Sequence, residues 1–203
     1  MAWSGFMSSV KPPRRAGPPP DQGVLHEAAL THLARYATTQ AGLRRVLERR
    51  VDRWARLAAA EAEPEAIRAQ AAEAKRAAAE VVLRLAEAGA VNDAAFAASR
   101  ARSLTRAGRS RRAITAHLGG KGVAADLARE AVPDDAETEL AAALVLARRR
   151  RIGPFRAGEP LDEAGRRHAL AAFARAGFSQ AVAVRALAME PGEAEALVIA
   201  LRR

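Results

Sequence analysis

Apolar residues in this chain recur at three- to four-residue spacing, the period of one helix face, and alternating β-branched runs are missing. Together with their capping residues these stretches predict a series of helices. The first spans about 27–36, with Leu30 and Leu33 inward. Thr38 or Thr39 caps a second, which runs through Leu43 and Leu47 to about Trp54. Pro64 suits the first turn of a third, in an Ala/Glu/Arg-rich stretch from 61 to 88; Val81, Val82 and Leu85 are its apolar stripe and Gly89 its stop. Asn92 and Asp93 cap a fourth, which buries Phe96 and Leu104 and ends at Gly108. Ser110 caps a fifth carrying Ile114 and Leu118, whose end is frayed by Gly119, Gly120 and Gly122. A short helix over 124–131 is closed by Pro133. Helices at 137–149, with Leu140, Leu144 and Val145 apolar, at 163–176, at 179–188 behind the cap Ser179, and from Pro191 to Leu201 complete the series, with a loop at 152–155.

The series has internal punctuation. An Arg pair opens a helix, an apolar face follows, and a stop comes a few turns on. One copy is Arg44-Arg45-Val46-Leu47, ending near Arg50-Val51. A second is Arg111-Arg112-Ala113-Ile114, with Leu118 and Lys121-Gly122-Val123. A third is Arg166-Arg167-His168-Ala169, with Phe173 and Ala176-Gly177-Phe178. Repetition of one supersecondary unit implies an array. The expected architecture is all-α, an elongated array of three tandem three-helix repeats built like helix-turn-helix units. Their expected bounds are 25–90, 91–133 and 134–203, with an insertion in the first at about 57–67. Residues 1–24, rich in Pro and Arg and without an apolar stretch of signal-peptide type, are expected to form a disordered tail on a cytoplasmic protein.

Composition changes this picture in two ways. Aromatic residues make up only 4% of the chain while half of it is hydrophobic, so the core is built mostly of Ala, Leu and Val and the helices must approach closely. The 33 basic residues exceed the 23 acidic ones, giving a net charge of +10, and most are arginines, whose forked guanidinium suits phosphate and carboxylate. There is no cysteine and hence no disulfide or thiolate chemistry, and no apolar run approaches a membrane span.

The charge is clustered. Between Arg44 and Arg56 lie six arginines and two acidic residues; between Ser99 and Ala125 lie six arginines, a lysine and no acid; Arg148, Arg149, Arg150 and Arg151 are consecutive. Candidate partner- or DNA-binding residues are therefore Arg44, Arg45, Arg49, Arg50, Arg109, Arg111, Arg112, Lys121, Arg148, Arg149, Arg150, Arg151, Arg166 and Arg167. In the first cluster Glu48 and Asp52 stand at helical spacing from arginines, so a solvated, ion-paired face competes with binding there; the other two clusters have no such neighbour within the run. Trp54, Phe155 and Phe178 are too scattered for a base-stacking platform, and Phe96, Phe173 and Phe178 recur with the repeat as core.

No catalytic, cofactor or metal site is expected. His26, His32, His117 and His168 lack metal-ligand spacing. Gly119-Gly120-Lys121-Gly122 lacks the strand and the Ser/Thr of a phosphate loop. Asp134 and Asp135 mark a helix start, where negative charge is favoured.

Four strings, in order between Glu27 and Leu187, resemble the RecX family of regulators of the RecA recombinase. They are Ala28 to Arg35 with Leu43-Arg44-Arg45-Val46-Leu47; Gly89-Ala90-Val91-Asn92-Asp93-Ala94-Ala95-Phe96-Ala97; Ser110-Arg111-Arg112-Ala113-Ile114 through Gly122-Val123; and Arg167 through Phe173-Ala174-Arg175-Ala176-Gly177-Phe178-Ser179. Departures from the family pattern are Ala176 where a basic residue is common, the absence of a glycine at Val51, and the 57–67 insertion. The resemblance implies a non-enzymatic modulator, without cofactor or metal, that binds RecA and its single-stranded DNA filament. It implies suppression of RecA ATP hydrolysis, strand exchange and co-protease activity, and so modulation of recombinational DNA repair and the SOS response. Direct contact with single- or double-stranded DNA is compatible with the charge, and no dimerisation helix is evident, so a monomer is expected.

Two other readings stay open. One is a sequence-reading helix-turn-helix module, with Arg111 and Arg112 entering the major groove at the start of the helix after Ser110. The other is a helical scaffold whose charge is incidental. If about six of the clustered cations contact single-strand phosphates, affinity for single-stranded DNA falls with salt at a log–log slope of about −4. A titration series in salt checks this, and a slope near zero removes the phosphate contacts.

Overall fold

Most helix starts here are set by side-chain oxygens, and half of the helix ends by left-handed residues. The computed structural model describes residues 16–158 and 161–202. Within them lie α1 (Gln22–Leu33), α2 (Gln40–Ala58), α3 (Pro64–Glu87), α4 (Asp93–Arg106), α5 (Arg111–Gly120), α6 (Ala125–Glu130), α7 (Ala136–Arg150), α8 (Glu163–Arg175), α9 (Gln180–Ala188) and α10 (Pro191–Ala200). A 3-10 turn spans Gly153–Phe155, and there is no strand among the described residues. The protein is all-α.

Asp21, Asn92, Ser110, Asp135, Asp162 and Ser179 each accept a hydrogen bond from a backbone N–H in the first turn of the helix that follows. Thr39 does the same for α2, accepting from the Gly42 N–H at 2.9 Å. Four of the C-terminal ends share one geometry. Gly89, Gly108, Gly122 and Gly177 have positive φ, and the N–H of the next residue reaches back to a carbonyl five positions earlier: Ala90 to Leu85, Arg109 to Leu104, Val123 to Leu118 and Phe178 to Phe173. After Gly122 and Gly177 that next residue, Val123 or Phe178, is buried. The Phe178 ring meets Phe173 edge-on, with centroids 6.0 Å apart. The α7 stop uses Arg151 at φ 54° instead, with the Ile152 N–H bonded to the Ala147 carbonyl at 3.0 Å. Gly119 and Gly120, expected to fray α5, lie inside it, because the left-handed stop is at Gly122.

The chain divides into two contact units, residues up to 36 with 43–90, and 37–42 with 91–203. In the first, α1 packs on α3. Asp21 starts α1 five residues earlier than expected, so Leu25 and Ala29 form the inward stripe while Leu30 is 40% exposed, correcting its assignment to the core. Residues 16–24 are not a free tail. The Trp54 indole N–H donates to the Gly17 carbonyl at 2.8 Å, and Ala16 packs with Trp54, Ala58 and Ile67. The rest of the expected tail, 1–15, lies outside the described residues. With no glycine near Val51, α2 carries its stripe through Val51, Trp54 and Ala58. The expected insertion at 57–67 is thus the end of α2, a short turn and the start of α3.

In the second unit, α4–α6 close over a small core of Ala97, Ala101, Ile114, Leu118, Val123, Ala128 and Val132. Phe96 and Leu104 border it, half-buried. All residues from Leu140 to Ala147 are buried, so α7 is apolar all round and is covered by α4, α9, α10 and the 3-10 turn. At two of the left-handed glycines a Cβ would come too close to a distant part of the chain. One at Gly108 would meet the Val145 side chain at 2.9 Å, and one at Gly177 would meet the Ser110 Oγ at 2.6 Å.

Gly177 is therefore constrained twice, by φ +89° and by contact, whereas Gly89 has φ +73° and open space around it. Gly177→Ala is expected to lower stability by about 2–3 kcal/mol and Gly89→Ala by about 1 kcal/mol. Urea midpoints followed by circular dichroism check this, and equal losses would show that the contact with Ser110 contributes nothing.

Candidate functional site

The cationic residues are placed mainly by α2, α5 and the end of α7, and their surroundings differ more than their sequence clusters do. The start of α5 is anchored. Ser110 is fully buried; its hydroxyl accepts the Ala113 N–H at 3.2 Å and donates to the Ala176 carbonyl at 2.7 Å. The Arg111 N–H donates to both carboxylate oxygens of Glu139, at 3.0 and 3.3 Å, and the Arg111 guanidinium pairs with Asp134. Burial pushes the Glu139 carboxyl up, while the Arg111 N–H and charge pull it down. Asp135, beside Asp134, caps α7, and hydrogen bonds from Thr138 and from the Glu137 N–H hold it low. Arg112 and Arg109 are exposed. Arg111, Arg112, Thr115, Arg129 and Asp134 line one shallow groove.

A second cationic focus lies toward the other end of α5. Arg100 of α4 donates through Nε to His117 Nε2 at 3.2 Å, which places the free lone pair of a neutral imidazole toward a cation. Burial first, then the charges of Arg100, Lys121 and Arg109, lower the His117 pKa from its ordinary 6.5. The Lys121 carbonyl is held by the Thr39 hydroxyl at 2.7 Å, and the Gln40 N–H donates to Asp93 at 2.8 Å.

The run at the end of α7 is partly structural. Positive charge at a helix C-terminus offsets the exposed carbonyls. Arg148 pairs with Glu195 at 2.9 Å, and Arg149 donates to the Ala107 carbonyl just past α4 at 3.2 Å. Arg150 and Arg151 are exposed, as is Arg166, while Arg167 pairs with Glu163 one turn back on α8. The acidic partners of Arg111 and Arg148 come from outside their own runs, across the fold, which is why sequence spacing did not reveal them.

On α2, Arg44 pairs with Glu48 at 3.5 Å, but Asp52 turns to Lys75 of α3 at 2.7 Å rather than to an arginine of its own helix. Arg45 is exposed beside Arg44. Arg49, Arg50 and Arg53 line a groove between α1 and α2 together with Arg35, His32 and Tyr36. Of the residues that converge on these surfaces, sequence reading passed over Arg35, Tyr36, Arg53, Arg100 and His117. The i,i+4 spacing of His32 and Tyr36 was visible in the sequence; the contact of Arg100 with His117, between neighbouring helices, was not.

Comparison with known proteins adds three findings. A family model described as the second three-helix domain of RecX matches residues 92–132, the stretch that holds α4, α5 and α6. A regulatory protein RecX of Myxococcus xanthus is 38% identical over 183 residues, covering 89% of this chain and 91% of its own. A regulatory protein RecX of Agrobacterium fabrum is 40% identical over 106 residues, 52% of this chain and 56% of its own.

His117 gives a direct test of the local field. Its folded imidazole binds a proton more weakly than in the unfolded chain, so its contribution to stability is complete above 6.5 and is lost as pH falls below it. In an NMR titration His117 is expected to titrate below 6.5, and Arg100→Gln to move the midpoint upward. A midpoint that ignores Arg100→Gln would remove Arg100 as a cause and leave burial with the charges of Lys121 and Arg109.

Proposed function

The chain belongs to the RecX family of regulatory proteins, and from that membership we propose that it binds RecA and its single-stranded DNA filament and inhibits RecA. The inhibited activities are ATP hydrolysis, strand exchange and the co-protease function, so the protein tunes homologous recombination, DNA repair and the SOS response. It works as a monomer in the cytoplasm and needs no catalytic group, cofactor or metal. Its three three-helix repeats, 25–90, 91–133 and 134–203, act as successive binding units.

The observation that carries this reading is identity to a regulatory protein RecX along nearly the whole of both chains. The charge supports it in kind. Arg109, Arg112 and Lys121 sit on the stretch that matches the family model, and exposed cations suit a phosphate-bearing filament. Arg111, Arg148 and Arg149 are assigned mainly to holding the fold, because each is bonded to a group in another element. The same geometry counts against a sequence-reading helix-turn-helix module. Such a module enters the major groove with the N-terminal residues of its recognition helix, and the start of α5 is engaged by Ala176, Glu139 and Asp134. No helix among the described residues is long and apolar enough to cross a membrane.

The experiment is ATP hydrolysis by RecA filaments on single-stranded DNA, with this protein titrated in. Inhibition is expected well below one molecule per RecA. Reversing Arg109, Arg112 and Lys121 to Glu is expected to raise the concentration needed by more than about tenfold, with unchanged circular dichroism. Arg111 is left intact in that variant, since a carboxylate there would face Asp134 and Glu139. No inhibition by the unaltered protein at equimolar ratio would refute the reading.

A further inference from the structure

The groove between α1 and α2 holds an exposed aromatic ring and four arginines on one surface. Tyr36 is the sole tyrosine of the chain and is 60% exposed, the most exposed of its large hydrophobic side chains among the described residues. It is nevertheless held in place. Its N–H donates to the His32 carbonyl at 3.0 Å, and its ring lies 5.2 Å from the His32 ring at an angle of 37°. Arg35, Arg49, Arg50 and Arg53 line the same groove. The two carboxylates of α2 are committed elsewhere, Glu48 to Arg44 and Asp52 to Lys75. None of the four groove arginines forms an ion pair among the described residues.

We infer that this groove is a single-strand nucleic-acid site, in which a base stacks on the Tyr36–His32 face and neighbouring phosphates engage Arg49, Arg50, Arg53 and Arg35. The chemistry is the usual pairing of a cationic track with a π-face. Arg49 and Arg53, one turn apart, are separated by a rise of about 6 Å along the helix, which spreads the cations along a strand instead of focusing them on one anion. Two acids border the groove, Asp21 and Glu27. Asp21 accepts the Val24 N–H at 2.8 Å and keeps its charge, so two carboxylates stand against the four arginines and the groove stays net cationic. An acidic peptide is the competing occupant. The strand is favoured because the largest exposed apolar element is a ring face, which any base can cover.

This site deepens the filament reading and rests on it for the biological strand, so its test omits RecA. Fluorescence anisotropy is measured with the full chain on a labelled oligothymidylate and on an abasic strand of equal length, which keeps the phosphates and lacks the bases. The oligothymidylate is expected to bind about tenfold tighter. Tyr36→Ala is expected to bring it to the abasic level while abasic binding stays unchanged, and Tyr36→Phe to keep the preference. Arg49→Glu with Arg53→Glu is expected to weaken both strands. Circular dichroism verifies the fold of each variant. Equal binding of the two strands by the unaltered protein overturns the site, and so does a base preference that survives Tyr36→Ala. Equal binding of the strands together with tight binding of an oligoglutamate peptide reassigns the groove to an acidic partner. Failure of RecA inhibition with base preference intact would remove the regulatory reading and leave this site standing.

Discussion

A chain with many alanines and few aromatics has to bring helix backbones together, because small side chains fill little space. The close approaches in this fold occur at helix ends. A left-handed glycine turns the chain, the next N–H satisfies a carbonyl of the last turn, and the missing Cβ admits a neighbour. At Gly177 that neighbour is the Ser110 hydroxyl, at 2.6 Å from where a Cβ would sit. At Gly108 it is Val145 and the Ala142 carbonyl of α7. One hydroxyl, on Ser110, serves α5 as its cap and also takes up a carbonyl at the end of α8. The placement of α5, and with it of Arg109, Arg112, His117 and Lys121, depends on that arrangement.

Most of the fold was legible in the sequence because caps and stops are local. Asn92, Ser110, Asp135 and Ser179 act through their own first turns, and Gly89, Gly108 and Gly177 through their own φ. The start of α1 was misplaced because Asp21 follows a proline-rich stretch that reads as tail. Packing of Gly17 against Trp54 is a contact between residues 37 positions apart, which no local pattern carries. The stop of α7 was placed near Arg149 without its mechanism, since a left-handed arginine leaves no glycine to mark it.

The candidate surface was less legible. A run of arginines shows where charge is concentrated but not which members are spent on the fold. Arg148 and Arg149 are neighbours in sequence, yet one faces Glu195 of α10 and the other a carbonyl just past α4. Arg111 and Arg112 look equivalent as a pair, and a 100° step around α5 sends only Arg111 toward Asp134. Which of the clustered arginines are bonded to another element is therefore decided by tertiary structure.

The double use of Ser110 bears on how the protein is made. Residue 176 is synthesised 66 positions after residue 110. Until α8 has left the ribosome and folded back, the Ser110 hydroxyl has no carbonyl to donate to and the first turn of α5 lacks its cover. Arrays of like units are commonly additive, each folding with its nearest neighbours. In this chain the α4–α6 group is completed by the group that follows it, so a chain cut between the two leaves the start of α5 without the carbonyl that its cap donates to.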